Sequence, residues 1–463
     1  MGSILLSCNK ENFLIAPDVQ LRFSTDTVFF DTIFTTIGST TRFFTVHNPY
    51  DKPLKIASVR LGRGASSPYR LNVDGIAGKE VEDLEINPRD SLYVFVEVTI
   101  NPVGGNMPLL VRDSVVFRVN SKEQDVDLVA WGQDVHLVDG QVLQTQTWRN
   151  DKPYLIIHSV LVDTSHTLII EPGVKIYSHF NSTIYVGGTL VVQGTREDPV
   201  VFSGDRLEEM YENIPGQWSG IYFLNGSEHN VIDYAVIKNG IYGVHLGNLY
   251  SADSFPDIHI RNTIIKHMNF AGISSVGARI QAENCVIANC GSYALLLTTG
   301  GDYRFVHCTI ANYWDWSNRT NPSLLLTNYY YMSDTAKVFT GDLLRADFLN
   351  MIIYGNKESE VGLSSYADEV SFQYLFDHCL MKVKYPEGFG DTIHYHNIYL
   401  NEDPGFVSVN DFDFQLDSLA FARDKGGLQI GLTVPEDLLG HDRTADGHPD
   451  LGAYEWFDST DSR

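Results

Sequence analysis

The chain has 463 residues, 43% of them hydrophobic, enough for two or three ordinary domains or for one long repeat array with an addition. Its 33 basic against 58 acidic residues leave a net charge of −25, which argues against a nucleic-acid backbone or an anionic membrane surface as partner. Five cysteines are too few for a disulfide scaffold, and no stretch approaches the ~18 apolar residues of a membrane-spanning helix.

The chain opens on Ile4-Leu5-Leu6-Ser7-Cys8, followed by the polar run Asn9-Lys10-Glu11-Asn12. The first phrase resembles a bacterial lipobox, which implies lipidation of Cys8 after signal cleavage and attachment to a membrane through that lipid. The apolar stretch before it is shorter than the ~15 to 30 residues of a complete signal peptide, so residues 1–17 are read as a signal remnant and tether. The polar run loosely resembles the segment that directs lipoproteins to the cell surface in Bacteroidetes. That resemblance implies an outer-membrane location facing the exterior.

Residues 18–138 show no helical period and read as about seven short strands, the pattern of a β-sandwich. In Leu92-Tyr93-Val94-Phe95-Val96-Glu97-Val98-Thr99-Ile100 the even positions are aliphatic and the odd ones aromatic, acidic or hydroxylated, so one face is buried. Turn chemistry at Asn48-Pro49-Tyr50-Asp51 and Asn87-Pro88-Arg89-Asp90 separates the strands. Through Phe30-Asp31, His47-Asn48-Pro49, Ile86-Asn87-Pro88 and Ala130-Trp131-Gly132 the segment resembles the hydin-type immunoglobulin-like domains. It holds no cysteine pair, so packing alone must hold it.

From about residue 150 the texture changes to short aliphatic runs between glycine turns: Thr167-Leu168-Ile169-Ile170-Glu171-Pro172-Gly173, then Ile184-Tyr185-Val186-Gly187-Gly188-Thr189-Leu190, then Gln217-Trp218-Ser219-Gly220-Ile221-Tyr222-Phe223. Such runs without hairpin signals suit parallel strands stacked coil on coil. These phrases resemble the first coils of bacterial right-handed parallel β-helices, which implies that solenoid over residues 150–400. Asp403-Pro404-Gly405-Phe406, Asp413-Phe414-Gln415-Leu416 and Asp450-Leu451-Gly452-Ala453-Tyr454-Glu455 resemble the closing segment of Bacteroidetes-type β-helix surface proteins. Residues 401–463 are therefore expected to end and cap the helix, whose last coil is an open strand edge. The expected class is all-β, an immunoglobulin-like sandwich followed by a right-handed parallel β-helix.

Within the solenoid one phrase recurs. It reads Asn262-Thr263-Ile264-Ile265-Lys266-His267, Asn284-Cys285-Val286-Ile287-Ala288-Asn289 and His307-Cys308-Thr309-Ile310-Ala311-Asn312, at intervals of 22 and 23 residues. That period lies in the ~20 to 50 range of solenoids. If Cys285, Ile287, Cys308, Ile310, Cys379 and Met381 point inward, alternation sends Val286, Ala288, Thr309, Ala311, Leu380 and Lys382 outward. The outward column then includes Val236, Ile264, Val286 and Ile352, an apolar stripe that the chain itself or a partner must cover.

Several residues invite chemistry, and each has a plainer reading. Stacked thiols suggest a metal, but no CxxC accompanies them and zinc wants about four ligands, so core thiols are simpler. Asn239, Asn289 and Asn312 close successive strands and suit an internal hydrogen-bonded ladder. Lys266 with His267 is the best lyase-like pair, against a solvated lysine beside a turn histidine. His394 and His396 could place two imidazoles on one strand face for a metal, with no third ligand specified. Asp442, Asp446 and Asp450 depart from the calcium-loop spacing and suit a turn. No cofactor is expected.

The 43 residues between His307 and Asn350 are about two periods and hold Tyr313-Trp314-Asp315-Trp316-Ser317-Asn318-Arg319 and Tyr329-Tyr330-Tyr331. Part of this insertion should project, and aromatics flanked by Arg and Asn suit stacking on sugar rings or anchoring a protein interface. Trp314, Trp316, Arg319, Tyr329, Tyr330 and Tyr331 are the ligand-binding candidates, with packing onto the rod as the competing reading. The expected function is a surface-exposed outer-membrane lipoprotein acting as a non-enzymatic binding or scaffold subunit of an outer-membrane assembly, its ligand a glycan or a neighbouring protein. The alternative is a polysaccharide lyase or glycoside hydrolase of the β-helix type.

Overall fold

The structure, a computed structural model, describes residues 13–102, 104–105, 108–249, 256–332, 337–366 and 370–457. It divides into two compact units, Met1–Val135 and His136–Arg463.

The first unit is built from two five-stranded sheets. One runs Arg22–Phe23, Arg42–His47, Ser91–Val98, Tyr69–Val73, Ile76–Gly78 and is antiparallel throughout. The other runs Thr27–Phe34, Lys122–Gln133, Leu109–Val119, Leu54–Leu61, Glu80–Ile86, with one parallel pair between its first two members. Among the described residues ten strands stand where about seven were expected, and two of them, Arg22–Phe23 and Ile76–Gly78, are too short to show alternation. The inward residues of both sheets, among them Val94, Val96, Val115 and Leu128, form one core, and Phe44 meets Phe117 edge-on at 6.0 Å. Buried Asn48 explains the two turns: its Nδ2 donates to the carbonyls of Lys52, Ile86 and Asn87, and its Oδ1 accepts from the Tyr50 N–H.

The second unit is a solenoid of parallel strands with three faces. The first face includes Thr183–Val186, Gly220–Phe223, Tyr242–Leu246, Ala271–Val276, Tyr293–Thr298 and Leu324–Thr327. The second includes Ala235–Lys238, Ile264–Met268, Val286–Cys290, Thr309–Asn312 and Ile352–Gly355. The third includes Asn230–Asp233, Asp257–Arg261, Arg279–Glu283, Gly301–Val306 and Leu343–Leu349. The first strand of the unit, His136–Leu143, pairs in parallel with Tyr154–Val162, so coiling starts ahead of residue 150.

The recurring phrase encodes one turn. In six successive coils from Asn230–Asp233 onward, a single residue between the third-face strand and the second-face strand after it takes positive φ: Tyr234 (46°), Asn262 (49°), Asn284 (52°), His307 (48°), Asn350 (51°) and His378 (48°). Left-handed backbone costs an ordinary L residue about 1–2 kcal/mol and is most tolerable for Asn, Asp and His, which accounts for the polar letter that opens the phrase. The turn side chains also bond coil to coil. Asn284 Nδ2 donates to Asn262 Oδ1 at 3.1 Å, and Asn262 Nδ2 donates to Asp233 Oδ1 at 2.9 Å. The next letter points inward: Cys285, Cys308 and Cys379 are fully buried in the core with Ile287, Ile310 and Met381. Burial pushes the Cys379 thiol up to about 12. Asn289 and Asn312 each accept a backbone N–H from a neighbouring coil, those of Tyr313 and Cys290.

The expected end cap is a side strap. The described part of 401–463 lies back along the second face, where Phe414, Leu438 and Ala453 cover Val286, Ala288 and Ala311, and Leu416, Ala422 and Leu451 cover Ile352 and Leu380. Its reach extends to Arg196, whose Nη1 donates to the Leu439 carbonyl at 2.6 Å. The apolar outward column is the physical reason, since covering it removes that stripe from water. Thr309, the polar member, accepts the Ala453 N–H at 2.9 Å. Buried Arg443 donates to Asn284 Oδ1 at 2.8 Å and to Glu455 at 3.3 Å. The three strap aspartates do not converge. Asp442 caps Thr444, Asp450 accepts the N–H groups of Asp424 and Trp456, and Asp446 is exposed.

Candidate functional site: an aromatic cleft on the first face

Strand alternation builds this site. In Thr183–Val186 and Gly220–Phe223 the aliphatic residues Ile184 and Ile221 face the core, so Tyr185 and Tyr222 face out. The parallel register continues this outward row through His245, Ser274 and Leu296. Tyr242 and Tyr293 open their strands, and Phe270 stands just before its own. Together with Leu224, Thr298 and Tyr330 all of these except Tyr293 line a cleft of about 430 Å³, and Tyr293 packs on Phe270 just outside that lining.

The rings form a continuous ribbon. Centroids lie 5.8 Å apart for Tyr185 and Tyr222, 5.6 Å for Tyr222 and Tyr242, 5.2 Å for Tyr242 and Phe270, and 5.9 Å for Phe270 and Tyr293. All four pairs are tilted or edge-to-face, with interplanar angles between 56° and 78°. His245 packs on Tyr222 at 4.9 Å and its Nδ1 lies 3.2 Å from Ser274 Oγ. Burial holds His245 down to about 4, so it is neutral at neutral pH, and burial pushes the Tyr222 and Tyr242 hydroxyls up. Among the described residues lining the cleft there is no carboxylate, lysine or arginine. The arrangement can stack on a ring and exchange hydrogen bonds through hydroxyls. Its described lining residues include neither a carboxylate pair, which a glycosidase uses, nor a cation of the kind that neutralises a uronate in a lyase.

Of the residues singled out from sequence, only Tyr330 joins the cleft. Trp314 is 3% exposed and its Nε1 donates to Ser317 Oγ at 3.0 Å. Arg319 is fully buried, pairing with both oxygens of Glu360 at 2.8 and 2.7 Å. Both are therefore interior packing and not ligand contacts, because the insertion folds down over coils that supply Glu360 from farther along the chain. Tyr329 lies half-buried against Tyr366, with its hydroxyl 3.1 Å from Ser364 Oγ. Trp316 and Tyr331 are each 54% exposed and lie outside the lining of the cleft.

Lys266 and His267 lie beneath the strap. Phe412 packs edge-on against fully buried His267 at 4.6 Å, and Lys266 Nζ is 5.9 Å from the same ring. Burial, and then the neighbouring lysines, hold His267 down to about 3. A base covered in this way meets no substrate, so the lyase-like pair is structural. His394 bonds Asp391 and stacks on Tyr374 at 4.2 Å, while His396 donates to the Thr392 carbonyl at 3.0 Å. Each ring thus has its own partner, and among the described residues no group of three His, Cys, Asp or Glu is placed to hold a metal ion. Cys8 lies outside the described residues. The ribbon itself escaped notice in the sequence because coil lengths vary, although Ile184-Tyr185-Val186 and Ile221-Tyr222-Phe223 each declare an outward tyrosine.

No curated protein matches the chain. Among solved structures, the Escherichia coli chaperone DraB is 14% identical with a TM-score of 0.18, over 25% of this chain. The chain spans 55% of the chaperone's own length. The PapD-like domain 7 of human CEP192 is 10% identical over 27% of this chain and 94% of that domain, with a TM-score of 0.17. The catalytic domain of a family 87 alpha-1,3-glucanase in complex with nigerose is 9% identical over 78% of this chain and 87% of that one, with a TM-score of 0.18. Likenesses this slight carry no function. The family model described as right handed beta helix region matches residues 156–323, the stretch that holds most of the aromatic ribbon, and with the three parallel ladders it marks the second unit as a right-handed parallel β-helix.

Proposed function

We propose that the protein is a lipid-anchored, surface-exposed binding subunit of an outer-membrane assembly, non-enzymatic, with its ligand held in the aromatic cleft of the first face. The observation that carries this reading is the ribbon of rings, with uncharged groups alone among the described residues that line it. Aromatic contacts contribute about 0.5–1.5 kcal/mol each beyond burial, so several in a row hold a ligand without any reacting group. The lipobox resemblance at Cys8 supports the location, and the polar tether after it supports display outside the cell. A glycan is the favoured ligand because a sugar ring offers an apolar face to stack and hydroxyls to bond.

Calorimetric titration of the full chain with cell-envelope and dietary glycans tests this. Tyr222→Ala with Tyr242→Ala is expected to weaken binding at least tenfold while the circular dichroism spectrum is retained. Unchanged affinity in that variant refutes the cleft as the site, and accumulation of shortened or unsaturated sugars refutes the non-enzymatic reading.

A further inference from the structure

The ribbon has a direction and a repeat. It climbs the solenoid axis over successive coils, from Tyr185 through Tyr222, Tyr242 and Phe270 to Tyr293, with ring-to-ring steps of 5.8, 5.6, 5.2 and 5.9 Å. The steps follow from the fold, since strands in register stack about 4.7–4.9 Å apart and tilted rings add a little. A ligand that meets every ring must therefore be a linear polymer with a cyclic unit recurring at nearly the coil spacing. An extended pyranose chain has such a repeat. An isolated small molecule would touch one or two rings and leave the rest bare.

The charge pattern narrows the polymer. The cations nearest in kind, on the third face, are already committed: Arg261 to Asp233 at 2.6 Å, Arg345 to Asp302 at 2.8 Å and Arg304 to Glu283 at 3.6 Å. Nothing charged is among the described residues that line the cleft, so a carboxylate carried into it meets no partner there, against the repulsion of a chain of net charge −25.

Resting on the cleft as ligand site, we infer that it takes a linear, uncharged pyranose chain laid along the solenoid axis with about one sugar per coil, and that it rejects uronic-acid chains. The full chain is titrated with neutral gluco-oligosaccharides of increasing length and with oligogalacturonides of matched length. Affinity for the neutral series is expected to climb with each added sugar and to level off once the chain spans about the length of the ribbon. Uronates are expected to bind at least tenfold more weakly. Phe270→Ala, at the far end of the cleft, is expected to shorten the length at which affinity levels off and to spare the shortest ligands.

Uronates binding as tightly as the neutral chains, or affinity independent of length, overturns this inference and leaves the cleft in place provided Tyr222→Ala with Tyr242→Ala still weakens binding at least tenfold. Affinity unchanged in that variant, or no binding by any sugar, overturns the cleft reading as well.

Discussion

Arg319→Met separates an interior role from a ligand-binding one. The guanidinium makes six hydrogen bonds: to both oxygens of Glu360, to the carbonyls of Asn312 and Asn321, to Ser323 Oγ and to Asn356 Oδ1. Methionine keeps the aliphatic stem but leaves the Glu360 carboxylate fully buried, still bonded to the N–H groups of Ser323 and Lys357 and facing no cation. Removing one partner of a buried pair costs about 3–5 kcal/mol, because the remaining charge stays desolvated. Urea unfolding followed by tryptophan fluorescence should show a loss of that size. Adding Glu360→Gln removes the stranded charge and keeps an amide oxygen as acceptor, so at least half of the loss should return in the double variant. A single-variant loss under ~1 kcal/mol, or a double variant as unstable as the single, would refute the reasoning. A ligand role for Arg319 would show the opposite pattern, with unfolding unchanged and binding lost.

The strap carries a pH dependence. Burial and the adjacent Asp450 push Glu455 up to about 9, and burial pushes Asp450 up to about 6. Both folded-state values lie above the unfolded ones, so the folded chain holds extra protons and loses stability as pH rises through those values. Burial holds His307 well below its usual 6.5, which acts in the opposite direction only as pH falls below that value. Melting temperature should therefore decline between pH 6.5 and 9, and Glu455→Gln should flatten the decline; a slope the variant leaves intact counts against the assignment. Cys8→Ala should move the protein from the membrane to the soluble fraction, and a variant that stays with the membrane removes the lipid anchor.

The solenoid was legible because its rules are local. A polar residue that tolerates positive φ, a small residue behind it and an aliphatic alternation are all short-range, so the phrase at Asn284 declares the turn, the inward thiol and the outward Val286 together. The same reasoning found an apolar stripe in need of cover. It could not say what covers it, because the strap comes from more than a hundred residues away, and Asn284 meets Arg443 only after the chain has completed the last coils. Arg319 failed for a related reason. Its partner Glu360 is 41 residues on, and from sequence an arginine among aromatics reads as well for a sugar site as for a buried ion pair.

The three outer faces differ in how completely the described part of the chain satisfies them, and that difference supports placing the proposed site on the first face. On the second face the outward residues are Val286, Ala288, Ala311 and Ile352, which would be costly in water, and the strap removes them from it. On the third face the outward residues alternate in sign along the register, Asp257, Arg279, Asp302 and Arg345, so each charge meets its opposite one coil away and little field is left over. Among the described residues the first face has neither solution. Its tyrosines are too polar to need a strap and too weakly charged to satisfy one another as ion pairs, so their ring faces and hydroxyls keep unspent capacity for stacking and hydrogen bonding. A solenoid shows the same chemistry on a given face for coil after coil, so whatever meets that capacity is read along the axis.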